Sequence, residues 1–150
     1  MAKILIVDDE IELKNVLVEI LAAHSHEARG FISWREALEV LRAEHFDLLI
    51  SDLMMPEIGG VVLIKTALEI APHLVTIIMT GQGTIQSVEE ATALGVFDYV
   101  LKPFTLRTLL PIVKRALDSR PLMLEATTAR EGDDKQPELA QLALEDASRR

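Results

Sequence analysis

Asp47-Leu48-Leu49-Ile50-Ser51-Asp52-Leu53-Met54-Met55-Pro56 is the stretch whose reading decides the fold. Leu48 to Ile50 is a short apolar run that ends at an aspartate, and Pro56, Gly59 and Gly60 follow at once. A brief apolar segment closed by turn residues reads as a buried strand, here Phe46 to Ser51. Asp52 then stands at the carboxyl end of that strand, where open α/β sheets place their chemistry. By itself such an aspartate has an ordinary explanation, because Asp commonly starts a turn. The ends of the other strands decide between the two readings.

Outward from this stretch, the same pattern recurs. Lys3 to Val7 is a β-branched and leucine run of the kind buried on both faces of a sheet, and Asp8-Asp9-Glu10 ends it. From Ile11, the positions Leu13, Val16, Leu17, Ile20 and Leu21 return at helical spacing. A weaker strand is expected over Glu27 to Phe31. Ser33 with Glu36 three residues on reads as a capping box, opening a helix that buries Ala37, Leu38 and Leu41. After Gly59-Gly60, a third helix is expected from Val61 to Ile70, stopped near Pro72. Leu74 to Met79 forms a strand that ends at Thr80-Gly81. Thr84 caps a fourth helix, Ile85 to Leu94, closed by Gly95. Phe97 to Leu101 is a strand followed by Lys102-Pro103, and a last helix spans Thr105 to Asp118. Strand alternating with helix five times predicts parallel pairing with helices on both faces.

In such a sheet all carboxyl ends share one edge. That edge gathers Asp8 and Asp9, Asp52, Thr80 and Lys102. Asp8 and Asp9 could merely cap a helix, Thr80 could be a turn residue and Lys102 a solvated lysine. All of these coincidences at four ends of one sheet are far less plausible than a single site. Crowded carboxylates repel, and a divalent cation relieves them. Oxygen-only ligation by few protein groups suits magnesium. Thr80 offers a hydroxyl and Lys102 a positive charge for phosphate, while an aspartate can itself accept a phosphoryl group.

Composition bounds the function. The chain has 150 residues, 49% of them hydrophobic and 26% charged, with a net charge of −9. A folded domain with a sizeable core is expected. The acidic balance argues against sequence-independent binding to nucleic acid or to an anionic membrane, both of which need a basic face. The chain contains no cysteine, which excludes disulfides, thiolate metal sites and cysteine nucleophiles. No apolar run approaches the roughly 20 residues of a membrane span, and no signal peptide is visible, so a cytoplasmic protein is expected.

Ile4-Leu5-Ile6-Val7-Asp8-Asp9-Glu10, Asp47 to Pro56, Met79-Thr80-Gly81 and Asp98-Tyr99-Val100-Leu101-Lys102-Pro103-Phe104 together resemble the receiver domain of two-component response regulators. The resemblance covers about residues 2–119. It implies a flavodoxin-like sheet of order 2-1-3-4-5, with Asp52 as phosphoacceptor from a histidine kinase. It also implies Asp9 and Asp52 as direct magnesium ligands with the Met54 backbone carbonyl, and Asp8 acting largely through water. Thr80 and Lys102 would bind phosphoryl oxygens, and Tyr99 matches the aromatic that turns inward on activation. Such a domain catalyses only its own phosphorylation and dephosphorylation. Its partners are a kinase and a downstream output, and a dimer could form through the fourth helix, fifth strand and fifth helix.

Met79 to Thr84 and Gly95 to Tyr99 look most like receivers that precede an ATPase and DNA-binding output. Residues 1–120 are expected to form the receiver. Residues 121–136 read as a linker, and 137–148 as one more short helix with Leu139, Leu142 and Ala143 on a side. No Walker loop or helix-turn-helix signal occurs in 121–150, so the chain is either a stand-alone relay or a fragment. Pro111 falls inside the last helix, where it removes a backbone bond, so a late start or a kink is expected there. Competing readings are a pseudo-receiver that accepts no phosphate, an aspartate-dependent phosphatase and a flavin carrier. The first would lack one of the acidic, Thr or Lys groups. The second prefers its nucleophile at the first strand's end, and the third wants a Ser/Thr-rich phosphate loop where Asp8-Asp9-Glu10 stands.

Overall fold

The structure, a computed structural model, describes residues 2–55, 57–81 and 85–120. Within them strand and helix alternate: β1 (Lys3–Val7), α1 (Ile11–Ala23), β2 (Glu27–Phe31), α2 (Trp34–Ala43), β3 (Leu48–Asp52), α3 (Gly60–Ile70), β4 (Val75–Thr80), α4 (Ile85–Ala93), β5 (Asp98–Leu101) and α5 (Leu106–Asp118). All pairings are parallel and the order is β2-β1-β3-β4-β5, the flavodoxin-like arrangement. The expected linker and short helix of 121–150 and the Thr84 cap lie outside the described residues.

The two-residue period of a strand divides the core in two. Leu5, Val7, Leu49 and Ile78 face one way, onto Ala37, Leu38 and Leu41 of α2 and Leu63, Ile64 and Ala67 of α3. Ile4, Ile6, Ile50, Ile77 and Met79 face the other way, onto Leu17 and Leu21 of α1 and Leu109, Val113 and Ala116 of α5. Sheets covered on both faces need near-continuous apolar strands, and β1, β3 and β4 supply them, with the buried Thr76 inside β4 as the exception. Val16, placed by its spacing on the buried stripe of α1, is instead 48% exposed. The stripe needed there is narrow, and Leu17 and Leu21 fill it.

Local chemistry accounts for the helix ends. The Ser33 hydroxyl accepts the Glu36 amide at 3.4 Å, one half of the expected capping box. Gly95, at φ 96°, ends α4. Its amide donates to the Thr92 carbonyl, and the Val96 amide donates to that of Ala91, the paired bonds of a Schellman motif. The central strand begins later than expected. Phe46 is fully buried but precedes β3, and Asp47 turns its carboxylate onto the Lys3 amide at 2.8 Å. After β3, the indole N–H of Trp34 donates to Glu57 Oε2 at 3.3 Å, tying the start of α2 to the loop that follows Asp52.

Pro111 does not delay α5, which begins at Leu106 behind Thr105. Proline leaves the Arg107 carbonyl without its helical donor, and both residues lie on the exposed side of the helix, where water can serve that oxygen. Pro111→Ala is therefore expected to stabilise the fold by about 1 kcal/mol, the net worth of a recovered hydrogen bond. A urea titration measures this as a raised midpoint at unchanged slope.

Candidate functional site

Parallel pairing in register brings the strand ends together. Val7 lies beside Ser51, Asp52 beside Met79 and Thr80 beside Leu101. The residues that follow these ends converge. Asp8 is fully buried and Asp52 is 4% exposed. The Lys102 ammonium reaches between them, 2.9 Å from Asp8 Oδ2, 3.3 Å from Asp52 Oδ2 and 3.2 Å from Glu10 Oε1. Both Asp52 oxygens are engaged, because Oδ1 accepts the Met54 amide at 3.1 Å. One oxygen each from Asp8, Glu10 and Asp52 falls within a mutual span of 4.8 Å.

Three carboxylates against one ammonium leave an excess of negative charge. Burial raises the pKa of Asp52. The Met54 amide and the Lys102 charge pull the other way, and the Asp8 charge adds to the rise. Burial likewise raises Asp8, opposed by the Glu10 amide and by Lys102. For Lys102, burial works to lower the pKa, but the hydrogen bond and charge of Asp8, then Asp52 and Glu10, outweigh it and hold the ammonium above the ordinary lysine range. A buried site in which carboxylates resist ionisation and a lysine resists neutralisation lacks positive charge.

Thr80 ends β4 with its side chain fully buried, and its Oγ1 has no hydrogen-bond partner among the described residues. An orphaned buried hydroxyl is costly, so a missing acceptor fits this position. The oxygen-rich, cysteine-free donor set likewise fits a hard cation such as magnesium.

Of the residues expected at this edge, Asp8, Asp52, Thr80 and Lys102 are brought to it. Asp9 is exposed and is not part of the convergent group. Glu10, which the sequence reading passed over, joins Asp8 and Asp52 there. β1 has ended at Val7, and the Glu10 amide closes a turn onto Asp8 Oδ1 at 2.8 Å that brings Glu10 beside Asp8. The Met54 side chain is 56% exposed, and Tyr99 points outward at 45% exposure.

An open parallel sheet of order 2-1-3-4-5, with an acidic pocket and a lysine at its carboxyl edge, defines a class of phosphate-handling signalling domains. The family model of the response regulator receiver domain matches residues 4–114. The chain belongs to that family, and is a receiver domain of two-component response regulators. It is 39% identical over 114 residues to the response regulator protein FleR of Pseudomonas aeruginosa, a match covering 76% of this chain and 24% of that one. It is 36% identical over 138 residues to the DNA-binding transcriptional regulator NtrC of Azospirillum brasilense, covering 91% and 28% respectively. The chain thus spans about a quarter of the length of these relatives. Among solved structures, the beryllofluoride-activated NtrC4 receiver domain dimer superimposes with a TM-score of 0.75 at 28% identity, over 80% of this chain and 99% of that one. No helix among the described residues is long and apolar enough to cross a membrane.

Proposed function

We propose that Asp52 accepts a phosphoryl group from a histidine kinase and that the modification switches a surface on the far side of β4. The observation that carries this reading is the Asp52 carboxylate, buried at a strand end with the Lys102 ammonium 3.3 Å away and an unpartnered Thr80 hydroxyl on the next strand. An Asp52 oxygen attacks phosphorus and forms a P–O bond as the P–N bond to the donor imidazole breaks, the electron pair leaving on nitrogen. Lys102 offsets charge on the phosphoryl oxygens, and Thr80 donates a hydrogen bond to one of them. Water later cleaves the acyl phosphate and regenerates Asp52. In this reading the domain catalyses only its own phosphorylation and dephosphorylation. The direct test is incubation with acetyl phosphate and magnesium, followed by mass spectrometry. A base-labile phosphoryl adduct on Asp52 is expected, and an adduct elsewhere, or none, would refute the assignment.

Magnesium, when bound, would neutralise carboxylate and phosphoryl oxygens. Asp8, Glu10 and Asp52 already converge, and Asp9 with the Met54 backbone carbonyl are the remaining oxygen donors of the proposal. Binding to the folded state alone stabilises it by mass action, about 1.4 kcal/mol at ten times the dissociation constant. Millimolar magnesium is therefore expected to raise the melting temperature of the wild type and to leave that of Asp8→Asn nearly unchanged. An equal increment in both would remove the metal from this pocket.

Phosphate on Asp52 adds charge and acceptor oxygens beside Thr80. Movement of the Thr80 hydroxyl onto them vacates space that Tyr99, on the neighbouring strand, can fill. The two arrangements bias the face made by α4, β5 and α5. Thr80→Ala is expected to be phosphorylated yet to leave the NMR shifts around Tyr99 unmoved. A full wild-type shift pattern in the phosphorylated variant would rule out Thr80 as the coupler. Tyr99, Leu101 and Leu106 are exposed on this face, which supports its use for an output partner or a dimer. Similarity to receivers of long transcriptional regulators supports an output domain joined through 121–150, with DNA contacts made there and not by this acidic domain. A kinase donor of this kind supports a cytoplasmic setting for the domain.

A further inference from the structure

At the opposite, amino-terminal edge of the sheet two imidazoles lie against each other. His45 stands in the segment before β3 and His73 in the segment before β4, 28 residues apart. Their rings are stacked, with centroids 4.9 Å apart and 10° between the planes. His73 Nε2 lies 3.2 Å from His45 Nδ1. The other nitrogen of His45, Nε2, lies 3.2 Å from Asp47 Oδ1. Asp47 is itself held, because its Oδ2 accepts the Lys3 amide at 2.8 Å and pairs with Arg120 at 3.3 Å. An ionised carboxylate can only accept, so the contact assigns the proton of neutral His45 to Nε2 and leaves a lone pair on Nδ1. In the free chain His73 Nε2–H donates to that lone pair at 3.2 Å. A cation that displaces this proton to His73 Nδ1 meets one nitrogen lone pair from each ring.

We propose that His45 Nδ1 and His73 Nε2 chelate a borderline divalent transition cation such as zinc or nickel, with Asp47 orienting His45 from behind. Two imidazole nitrogens at ~2.0–2.1 Å from a tetrahedral zinc ion stand roughly 3.4 Å apart, close to the separation found here. A carboxylate behind a ligating histidine sets its tautomer and ring direction and raises its basicity. The His45 side chain is 57% exposed, so water completes the coordination shell. Imidazole nitrogens favour zinc, copper and nickel, whereas carboxylate oxygens favour magnesium. The two edges of the sheet therefore select different ions. A cation here would bridge the segments leading into β3 and β4, the strands that carry Asp52 and Thr80.

The test is calorimetric titration of the whole chain with zinc chloride in excess magnesium. One zinc ion per chain is expected, with binding weakened about tenfold or more in His45→Ala and in His73→Ala, and retained in His24→Ala and Asp8→Asn. In the wild type, substoichiometric nickel is expected to broaden the ring resonances of His45 and His73 before those of His24 and His26, a measurement that needs no variant to fold. The proposal is overturned if millimolar zinc does not bind, if His73→Ala binds like the wild type, or if nickel broadens the other histidines first. It is equally overturned if Asp8→Asn abolishes binding, which would put the ion in the acidic pocket.

Discussion

Asp52→Asn is expected to fold as well as the wild type and to take up no phosphoryl group. The amide keeps the shape of the carboxylate and can keep the Met54 contact, but it offers no anionic oxygen for attack. Loss of a nucleophile costs on the order of a thousandfold or more in rate, so labelling by acetyl phosphate should fall below detection. Stability moves the other way. Burial disfavours the ionised Asp52, and the neighbouring Asp8 charge adds to the penalty, so a neutral side chain relieves the site. Lys102 retains Asp8 and Glu10 as partners. The melting temperature of the variant is expected to equal or exceed that of the wild type. Labelling at the wild-type rate would displace Asp52 from its role, and a severe loss of stability would show that the carboxylate is needed for folding.

Gly60→Ala is expected to be the most damaging small substitution near the site. A Cβ at Gly60 would lie 2.4 Å from Leu53 Cα, 2.6 Å from the Asp52 carbonyl oxygen and 2.7 Å from that of Leu53. These are backbone atoms, so no flexible side chain can give way. The Gly60 amide also donates to the Leu53 carbonyl at 2.7 Å, which fixes the start of α3 against the end of β3. Forced overpacking of this kind costs about 3 kcal/mol, or roughly 10 °C in melting temperature for a domain of this size. Relief by shifting β3 would move Asp52 away from Lys102, so phosphorylation should slow even in the folded fraction. Gly59→Ala is the comparison. At φ 74° an alanine there is strained, but its Cβ meets nothing within 4 Å, so the loss is backbone strain alone, about 1–2 kcal/mol. Equal stability of the two variants would contradict the close approach of α3 to β3.

The sheet was legible because its signal is redundant. Ile4 to Val7, Leu48 to Ile50 and Ile77 to Met79 are apolar without interruption, and each is followed by a turn and an amphipathic helix. The positions of Asp52, Thr80 and Lys102 follow from that order alone, since parallel strands share an edge. What the order does not carry is the direction of a side chain once the strand has ended. Glu10 joins Asp8 and Asp52 through the turn that its amide closes on Asp8 Oδ1, a contact that strand alternation does not foretell. The exposure of Val16 has a similar origin, because helical spacing marks a stripe but not its width. The approach of His45 to His73 leaves no local trace, since each lies in a different connecting segment and neither belongs to a periodic pattern.

The bond between Trp34 and Glu57 has a spectroscopic consequence. The chain contains a single tryptophan, so its emission belongs to one place. That indole donates to a carboxylate in the loop after Asp52 and carries the Arg35 guanidinium over its ring, 5.0 Å from the centroid. Its excited state is polarised by two opposite charges, one of them borne by the loop beside the phosphoacceptor. Rearrangement of that loop alters the local field, and with it the colour and yield of the fluorescence. The domain thus carries an intrinsic optical gauge, and the phosphorylation proposed for Asp52 is expected to change the tryptophan emission of the unlabelled protein.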